Sequence, residues 1–333
     1  MIRFKLIGLG NRGLNTLKRF QDIPRELAVF TQLEDIDPAS LEAARALCPY
    51  PVDNDDYDAA YICTDWTSHA RLAQSEMEKG HDVVVEVPAA VTLEECNALR
   101  LTSQRTGRRC LMAENCCFDG FHLACLEMAR QGLFGTLTHL EGAYIHTLGQ
   151  GDDATKPWMV QALQSHDGNA YPTHAYGPIA QLLTIDDDHF VTVQSMSSLL
   201  TTGLNNTLLR TRRGRSVLLQ LDVSTPRPYS RLQTICGTEG YAQKYPLPTL
   251  FLRGMEAPAI GDEALAMARR YMTSPTALLW LEGESRGVSN PMNYAMDRSI
   301  IHCLAAGERF AAEVEEAAEW SSLVALTGAE QLN

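Results

Sequence analysis

The chain has 333 residues, a formal net charge of −13 and nine cysteines. That length exceeds what one hydrophobic core ordinarily holds, so two domains are expected. The acidic balance argues against nucleic acid and anionic membranes as partners, and no apolar run is long enough to span a bilayer.

Ile2 to Leu9 reads as a strand that runs into Gly8-Leu9-Gly10-Asn11-Arg12-Gly13, and the stretch after it is helix-like. This is the glycine spacing of a dinucleotide fingerprint in the right context. Gly8 allows the tight turn, Gly10 lets a pyrophosphate approach the backbone, and Gly13 lets helix and strand pack closely. The diphosphate then lies at a helix N-terminus, where free N–H groups and the helix dipole favour an anion. Glu34, Asp35 and Asp37 end the next apolar run, at the ~20-residue distance the fold requires. Asp35 is expected to accept hydrogen bonds from the adenosine ribose. Its acidic neighbours repel a 2′-phosphate, which favours NAD over NADP, while Arg12 is placed to contact a phosphate.

Leu27 to Leu33, Ala59 to Cys63, Val83 to Val87 and Arg109 to Ala113 read as further strands. Helical segments fall near 12–20, 39–47, 68–79, 93–106 and 118–131. The alternation predicts an α/β Rossmann domain over 1–117, a doubly wound parallel sheet with helices on both faces.

Past residue 132 the pattern changes. Leu137 to His146 reads as a strand and Pro172 to Leu183 as a helix. Long β-like runs follow at 190–198, 205–213, 216–223 and 230–237, then helical patterns at 262–272, 292–305 and 313–325. Consecutive strands with tight turns predict an α+β domain over 118–333 with a largely antiparallel sheet. Arg210, Arg212, Arg213 and Arg215 surround Gly214 and read as a solvated hairpin turn. Ligands of such a fold lie outside the carboxyl ends of the parallel strands.

The cysteines show no paired spacing, no C-x-x-C, and an odd count. No metal is expected. The chain enters its first strand without a signal-peptide pattern. Together these point to a reduced, cytoplasmic protein whose thiols serve as small apolar groups.

The whole arrangement resembles the glucose-fructose oxidoreductase/inositol dehydrogenase/MocA family. Thr64-Asp65-Trp66-Thr67-Ser68-His69 stands where that family carries its second cofactor loop, so Thr64, Trp66 and His69 are expected at the cofactor. Glu86-Val87-Pro88 stands where its dehydrogenases carry Glu-Lys-Pro. The missing lysine would approach substrate and nicotinamide, and Val87 neither donates, accepts nor carries charge.

Longer stretches are similar to one subfamily, the NAD-dependent α-N-acetylgalactosaminidases. These are Glu86 to Ala90, Glu114-Asn115-Cys116-Cys117, Glu141 to His146, Tyr171-Pro172-Thr173-His174, Ser195 to Ser198 and Pro226 to Arg231. The resemblance implies glycoside cleavage by a redox detour. The sugar is oxidised at C3, the C2 proton becomes acidic and is removed, the aglycone leaves C1, water adds, and the hydride returns with NAD retained. A pair of glycosidase carboxylates is then unnecessary. Two stretches depart from that subfamily. Trp158-Met159-Val160-Gln161 lacks the arginine expected to hold the sugar, and Asn290-Pro291-Met292-Asn293 replaces a Gly-Gly-Met-Asp stretch. The redox core is kept while the sugar-reading shell is changed.

Four residues are the catalytic candidates. Tyr171 and His174 stand three apart at a predicted helix start and share a face. The dipole there disfavours imidazolium, so a neutral His174 suits a base near pH 7; Tyr171 suits a proton relay. The resemblance makes Tyr229 a site tyrosine. Glu114 ends the last parallel strand, with Asn115 beside it at the cofactor edge. His146 is a weaker candidate at a strand end. The bland alternatives are interface packing for His174 and Tyr171, a rigid turn for Tyr229, and a helix cap for Glu114.

Three functions stay open at this stage: the NAD-retaining glycosidase, a conventional NAD-dependent sugar oxidoreductase, and a non-catalytic NAD or sugar sensor. The partner expected is a small carbohydrate, with homo-oligomers formed through the C-terminal sheet if its face is exposed. One expectation rests on the cysteines alone: thiol titration of the denatured, unreduced protein finds all nine, and two or more native disulfides would contradict the reading.

Overall fold

In the computed structural model, which describes residues 1–48, 56–148 and 157–328, the apolar runs of the first third form the strands expected of them. They are β1 (Ile2–Ile7), β2 (Ala28–Glu34), β3 (Ala59–Ile62), β4 (Asp82–Val85) and β5 (Cys110–Met112). The helices between are α1 (Asn11–Arg19), α2 (Pro38–Leu47), α3 (Trp66–Glu78) and α4 (Leu93–Thr106). All four strand pairings are parallel, in the order β2-β1-β3-β4-β5. Every residue of β3 is buried, as expected for a strand covered on both faces.

The helix starts are specified locally. Asp37 caps α2 by accepting from the N–H groups of Ala39 and Ser40, with Pro38 at the first helical position. Thr92 and Glu95 form a reciprocal capping box on α4, which ends at Gly107 with φ +69°.

The second half contains α5 (Gly120–Arg130), β6 (Leu137–Ile145), α6 (Pro157–Ser165), α7 (Thr173–Thr184), β7 (Phe190–Ser197), β8 (Leu204–Thr211), β9 (Ser216–Asp222), β10 (Gln233–Gly237), β11 (Tyr241–Gln243), β12 (Thr249–Phe251), β13 (Ala259–Ile260) and α8 (Asp262–Arg269). The eight strands form one sheet in the order β13-β12-β11-β10-β6-β9-β8-β7. It is antiparallel except where β6 and β9 run parallel. One face packs on α7. Gly142 of β6 is required there, because a Cβ would lie 2.3 Å from the Ala175 carbonyl oxygen. The other face is exposed and mixed in character, with Met196 and Leu208 among polar neighbours such as Gln220 and Asn206.

The helices α9 (Pro275–Ser285), α10 (Pro291–Ala306) and α11 (Val314–Leu326) close the chain. Here the domain boundaries differ from the simple cut at residue 117. The chain divides into one unit of Met1–Glu114 with Leu279–Ser322, and another of Asn115–Leu278 with the residues from Leu323 onward. The C-terminal return has a polar cause. Arg19 of α1 donates to Asp297 of α10 at 2.6 Å and to the Tyr61 hydroxyl at 2.6 Å. Arg109 donates to the carbonyls of Cys303 and Glu308 at 2.7 and 2.6 Å. These contacts with α10 and the residues after it join positions 194 to 278 apart and leave no mark on local periodicity.

Arg215 also departs from expectation. Arg212 and Arg213 are exposed at the turn, but Arg215 is buried, bonded to Asp188 at 3.0 Å and to the Leu137 carbonyl at 3.0 Å. All nine cysteines are free thiols. No helix among the described residues is long and apolar enough to cross a membrane.

Asp297 is 1% exposed, and removing it leaves the buried Arg19 charge with only the Glu86 carboxylate, 3.8 Å away and shared with Arg12. Asp297→Ala is expected to cost about 3–5 kcal/mol in urea unfolding, whereas Arg19→Met with Asp297→Leu costs far less. A loss under 1 kcal/mol for Asp297→Ala would show the pair does not hold the C-terminal return.

Candidate active site

Within the first unit the expected cofactor residues collect at the carboxyl ends of the parallel strands. The glycine loop follows β1, Asp35 follows β2, Thr64 and Trp66 follow β3, and Glu86 and Val87 follow β4. Gly8 has φ +89°, and a Cβ there would lie 2.7 Å from the Cys63 carbonyl carbon. A Cβ on Gly13 would lie 2.0 Å from the Gly8 oxygen, so helix and loop touch only because Gly13 lacks one. Gly10 differs: nothing lies within 4 Å of its Cβ position. It is the N-cap of α1 and no side chain caps that helix. The result is an open backbone cradle at a helix N-terminus, which fits a dinucleotide diphosphate.

The loop is held from below. The Asp35 carboxylate accepts from Leu9 N at 2.5 Å and Asp37 N at 2.8 Å. Glu34 is neutralised by Lys5 at 2.6 Å. Asn11 opens α1, and Arg12 beside it approaches Glu86 at 3.5 Å. His69 lies between two carbonyls, Pro88 at 2.8 Å and Thr64 at 3.1 Å. Burial holds its pKa below the usual histidine value, and the neutral ring donates one proton, so it bonds one carbonyl at a time. Its place is that of a strut between two loops. Val87 is 3% exposed.

Within the second unit, one register builds a cluster of rings. The segment 229–233 runs antiparallel to the end of β6. Ile145 and Ser230 bridge, and Gly142 lies opposite Gln233. Side chains alternate along strands, so Tyr144 faces Arg231 and His146 faces Tyr229. The Arg231 guanidinium lies 4.0 Å from the Tyr144 ring centroid, and its Nε donates to the Tyr229 hydroxyl at 2.8 Å. The His146 and Tyr229 rings are 5.4 Å apart, edge to face. Tyr144 Oη and His146 Nδ1 are 3.3 Å apart.

Helix α7 brings the other candidates to the same face. Gly142 admits the Ala175 backbone, and His174 just before it, with Tyr171 two residues ahead of the helix, meets Tyr144. Their ring centroids lie 5.8 and 5.1 Å from that of Tyr144, and 4.6 Å from each other. Tyr171 and His174 are buried, while Tyr229 is 49% exposed. A small cavity of about 20 Å³ is lined by Cys116, His174, Arg231 and Lys244 among others.

Behind this face lies a polar network. His122 of α5 accepts at Nδ1 from Gln233 at 2.7 Å and donates from Nε2 to Gln181 at 2.7 Å. Burial lowers its pKa to about 4, so it stays neutral at ordinary pH and keeps this polarity. Lys244 pairs with Asp119, the α5 cap, at 2.7 Å.

The structure therefore unites Tyr171, His174 and Tyr229, with His146 beside them. Glu114, fully buried, closes the first unit just after β5, and Asn115 begins the 3-10 turn Asn115–Phe118 of the second. Sequence reasoning missed Tyr144, Arg231, Lys244 and His122. The two-residue spacing of Tyr229, Arg231 and Gln233 was the available signal.

Two family models match. Residues 2–114 fit the oxidoreductase family with NAD-binding Rossmann fold, and residues 120–206 and 200–331 fit the C-terminal domain of glycosyl hydrolase 109. An α-N-acetylgalactosaminidase of Bacteroides fragilis is 37% identical, covering all of this chain and 89% of its own. The chain belongs to glycosyl hydrolase family 109. It is an enzyme of the NAD-dependent oxidoreductase fold in that family. A glycosyl hydrolase family 109 protein of Phocaeicola vulgatus is 35% identical over 98% of this chain and 91% of its own. Among solved structures, an Agrobacterium radiobacter oxidoreductase in complex with NAD+ has TM-score 0.73 at 16% identity, covering 98% of this chain and 95% of its own. An inositol dehydrogenase homologue from Azotobacter vinelandii, complexed with NAD+, has TM-score 0.67 at 16% identity, with 97% and 93% covered. These two share the fold.

Proposed function

We propose that the protein cleaves a glycoside through transient oxidation at C3, with NAD retained through the cycle. The observation that carries this reading is the convergence of Tyr171, His174 and Tyr229 in a glycosyl hydrolase 109 unit, while apolar Val87 stands where the dehydrogenases carry lysine. Bound NAD would supply a hydride acceptor for the sugar C3 carbinol and later the hydride that restores it. Gly8, Gly10, Asn11, Gly13 and Asp35 would hold it, with Thr64, Trp66, His69, Glu86, Val87 and Asn115 around it and Arg12 near a phosphate.

The protein's own groups handle protons. A ketone at C3 acidifies the C2 proton, which His174 removes, with Tyr171 as relay. Tyr229 accepts a hydrogen bond from Arg231, which leaves its own phenolic proton for the substrate side and suits it to the departing oxygen at C1. Water adds at C1, the base returns a proton to C2, and C3 is reduced. Glu114 is retained as a site carboxylate. The exposed sheet face is the surface through which two copies would pair.

NAD is favoured over NADP chiefly by Asp35, since Lys5 neutralises Glu34. Asp35→Ala is expected to weaken NAD and narrow its advantage over NADP, as read by fluorescence titration of the reduced cofactors. Tighter NADP binding by the unmodified protein would overturn the preference.

The mechanism predicts turnover that needs NAD yet accumulates no stoichiometric NADH. In deuterated water the released sugar gains deuterium at C2. His174→Ala or Tyr171→Phe lowers the rate ~100-fold or more with NAD still bound. One NADH per turnover with the glycosidic bond intact would replace this reading with that of a sugar oxidoreductase.

A further inference from the structure

Arg231 is turned inward. Its guanidinium lies over the buried Tyr144 ring, 4.0 Å from the centroid, and Nη1 is itself buried. The cavity that it lines with Cys116, His174 and Lys244, about 20 Å³, has the volume of roughly one water and no room for a sugar ring. Its Nε donates to the Tyr229 hydroxyl at 2.8 Å. Of the two phenols Tyr229 is the half-exposed one, so Arg231 acts on a ligand through that phenol.

One hydrogen bond sets the polarity of Tyr229. A phenolic oxygen accepts, and it also carries one proton of its own. Accepting from Nε turns that proton away from the guanidinium, and no acceptor takes it among the described residues. The ring is braced edge to face by His146 at 5.4 Å and Tyr245 at 6.3 Å. Tyr229 and Arg231 flank Ser230, which pairs with Ile145, so both side chains fall on one side of the segment. The contact also changes as the phenol reacts. When the proton leaves, the hydrogen bond becomes an ion pair between guanidinium and phenolate. An interaction that strengthens with developing charge speeds the chemical step rather than tightening substrate binding.

We infer that Arg231 is a positioning residue for glycoside cleavage: it aims the Tyr229 proton at the departing oxygen and holds the phenolate until water arrives. The inference rests on the glycoside reading above and assigns both proton transfers at C1 to one Arg–Tyr pair. In the first, the electron pair left at C2 forms the C1–C2 double bond and the C1–O bond breaks. The Tyr229 proton goes to the aglycone oxygen. In the second, the phenolate takes a proton from water as the water oxygen bonds to C1, and the phenol is restored. His174 returns a proton to C2. The role lies at the departing oxygen and asks no charge of the sugar.

The test compares aglycones in deuterated water. The NAD-saturated protein is given paired methyl and 4-nitrophenyl glycosides, α and β, of N-acetylgalactosamine, N-acetylglucosamine, galactose and glucose. Aglycone release and C2 deuterium in the recovered glycoside are read for each sugar accepted. 4-Nitrophenolate departs without a proton, and methoxide does not. Arg231→Gln is expected to slow methanol release ~10–100-fold, the range of a charged hydrogen bond. Release of 4-nitrophenol changes little. The recovered methyl glycoside gains C2 deuterium, because proton removal at C2 continues while departure stalls. A general distortion of the site would slow exchange and release together and leave their ratio alone. Tyr229→Phe gives the same pattern, and adding Arg231→Gln to it costs little more. Arg231→Lys recovers part of the rate, since an ammonium keeps the charge without the planar guanidinium. Thermal unfolding checks that the variants fold. Equal losses on both aglycones, an unchanged ratio of exchange to cleavage, or additive losses overturn the inference and leave the glycoside reading standing. So does a methyl glycoside left intact by the unmodified protein while its 4-nitrophenyl partner is cleaved. One NADH per turnover with the glycosidic bond intact, or no C2 exchange with any pair, overturns the glycoside reading, and the inference falls with it.

Discussion

Ile145 and Ser230 exchange both of their backbone hydrogen bonds, at 2.9 and 3.0 Å, and the chemistry of the second unit hangs on that register. The same pairing continues through Ala143 N to the Leu232 carbonyl at 3.0 Å and into β10. A slip of one residue would turn the facing side chains to the opposite side of the sheet. Tyr144 would lose Arg231, His146 would lose Tyr229, and Tyr171 and His174, just before and within α7, would face other residues. Between Ile145 and Ser230 lie 84 residues of chain, so the site depends on long-range strand pairing rather than on any local motif.

Close packing translates that register into a cluster. Gly142, Tyr144 and His146 share one face of β6, and each does something different there. Gly142 gives room for the Ala175 carbonyl, which fixes how deeply α7 docks. Tyr144 then receives Tyr171 and His174 on one side and the Arg231 guanidinium on the other. Aromatic edges and faces pack there together with one cation. The rings are held by neighbours on three separate elements, so a change at any one of them disturbs the others. His122, Gln181 and Gln233 stiffen the layer behind with a fixed donor–acceptor order, since burial keeps His122 neutral.

The sequence revealed what is local. Strand and helix periods placed β1 to β5, β6, α7 and β7 to β9 within a few residues, because burial on one or both faces writes its period into the chain. The glycine triplet and Asp35 could be read because each serves a backbone need within ~35 residues. What stayed hidden is non-local. The strands β11 to β13 have two or three residues each and carry no period. The helix α9 has no apolar stripe, and α6 is a short segment of nine residues. The return of α10 to the first unit is driven by Arg19 and Asp297, which look like ordinary surface charges in sequence. Arg231 was overlooked for the same reason: its contacts with Tyr144 and Tyr229 depend on the pairing of distant strands.

Val87 bears on how proton transfer is divided. It is buried and follows Glu86, whose carboxylate lies 3.5 Å from Arg12 and 3.8 Å from Arg19. Two guanidiniums already attend that one acid. A third cation beside them would meet like-charge repulsion as well as desolvation, so an apolar residue suits the packing of this loop. A dehydrogenase needs a group to take the proton of a hydroxyl as the hydride leaves. An elimination needs a base for a proton on carbon, and an acid at the departing oxygen. Imidazole and phenol can do both near neutral pH, an aliphatic side chain neither. The residues able to change protonation state in this chain's ring cluster are His174, His146 and the tyrosines around them. On the proposed reading proton handling falls to those rings, and the register between β6 and the 229–233 segment decides whether they meet.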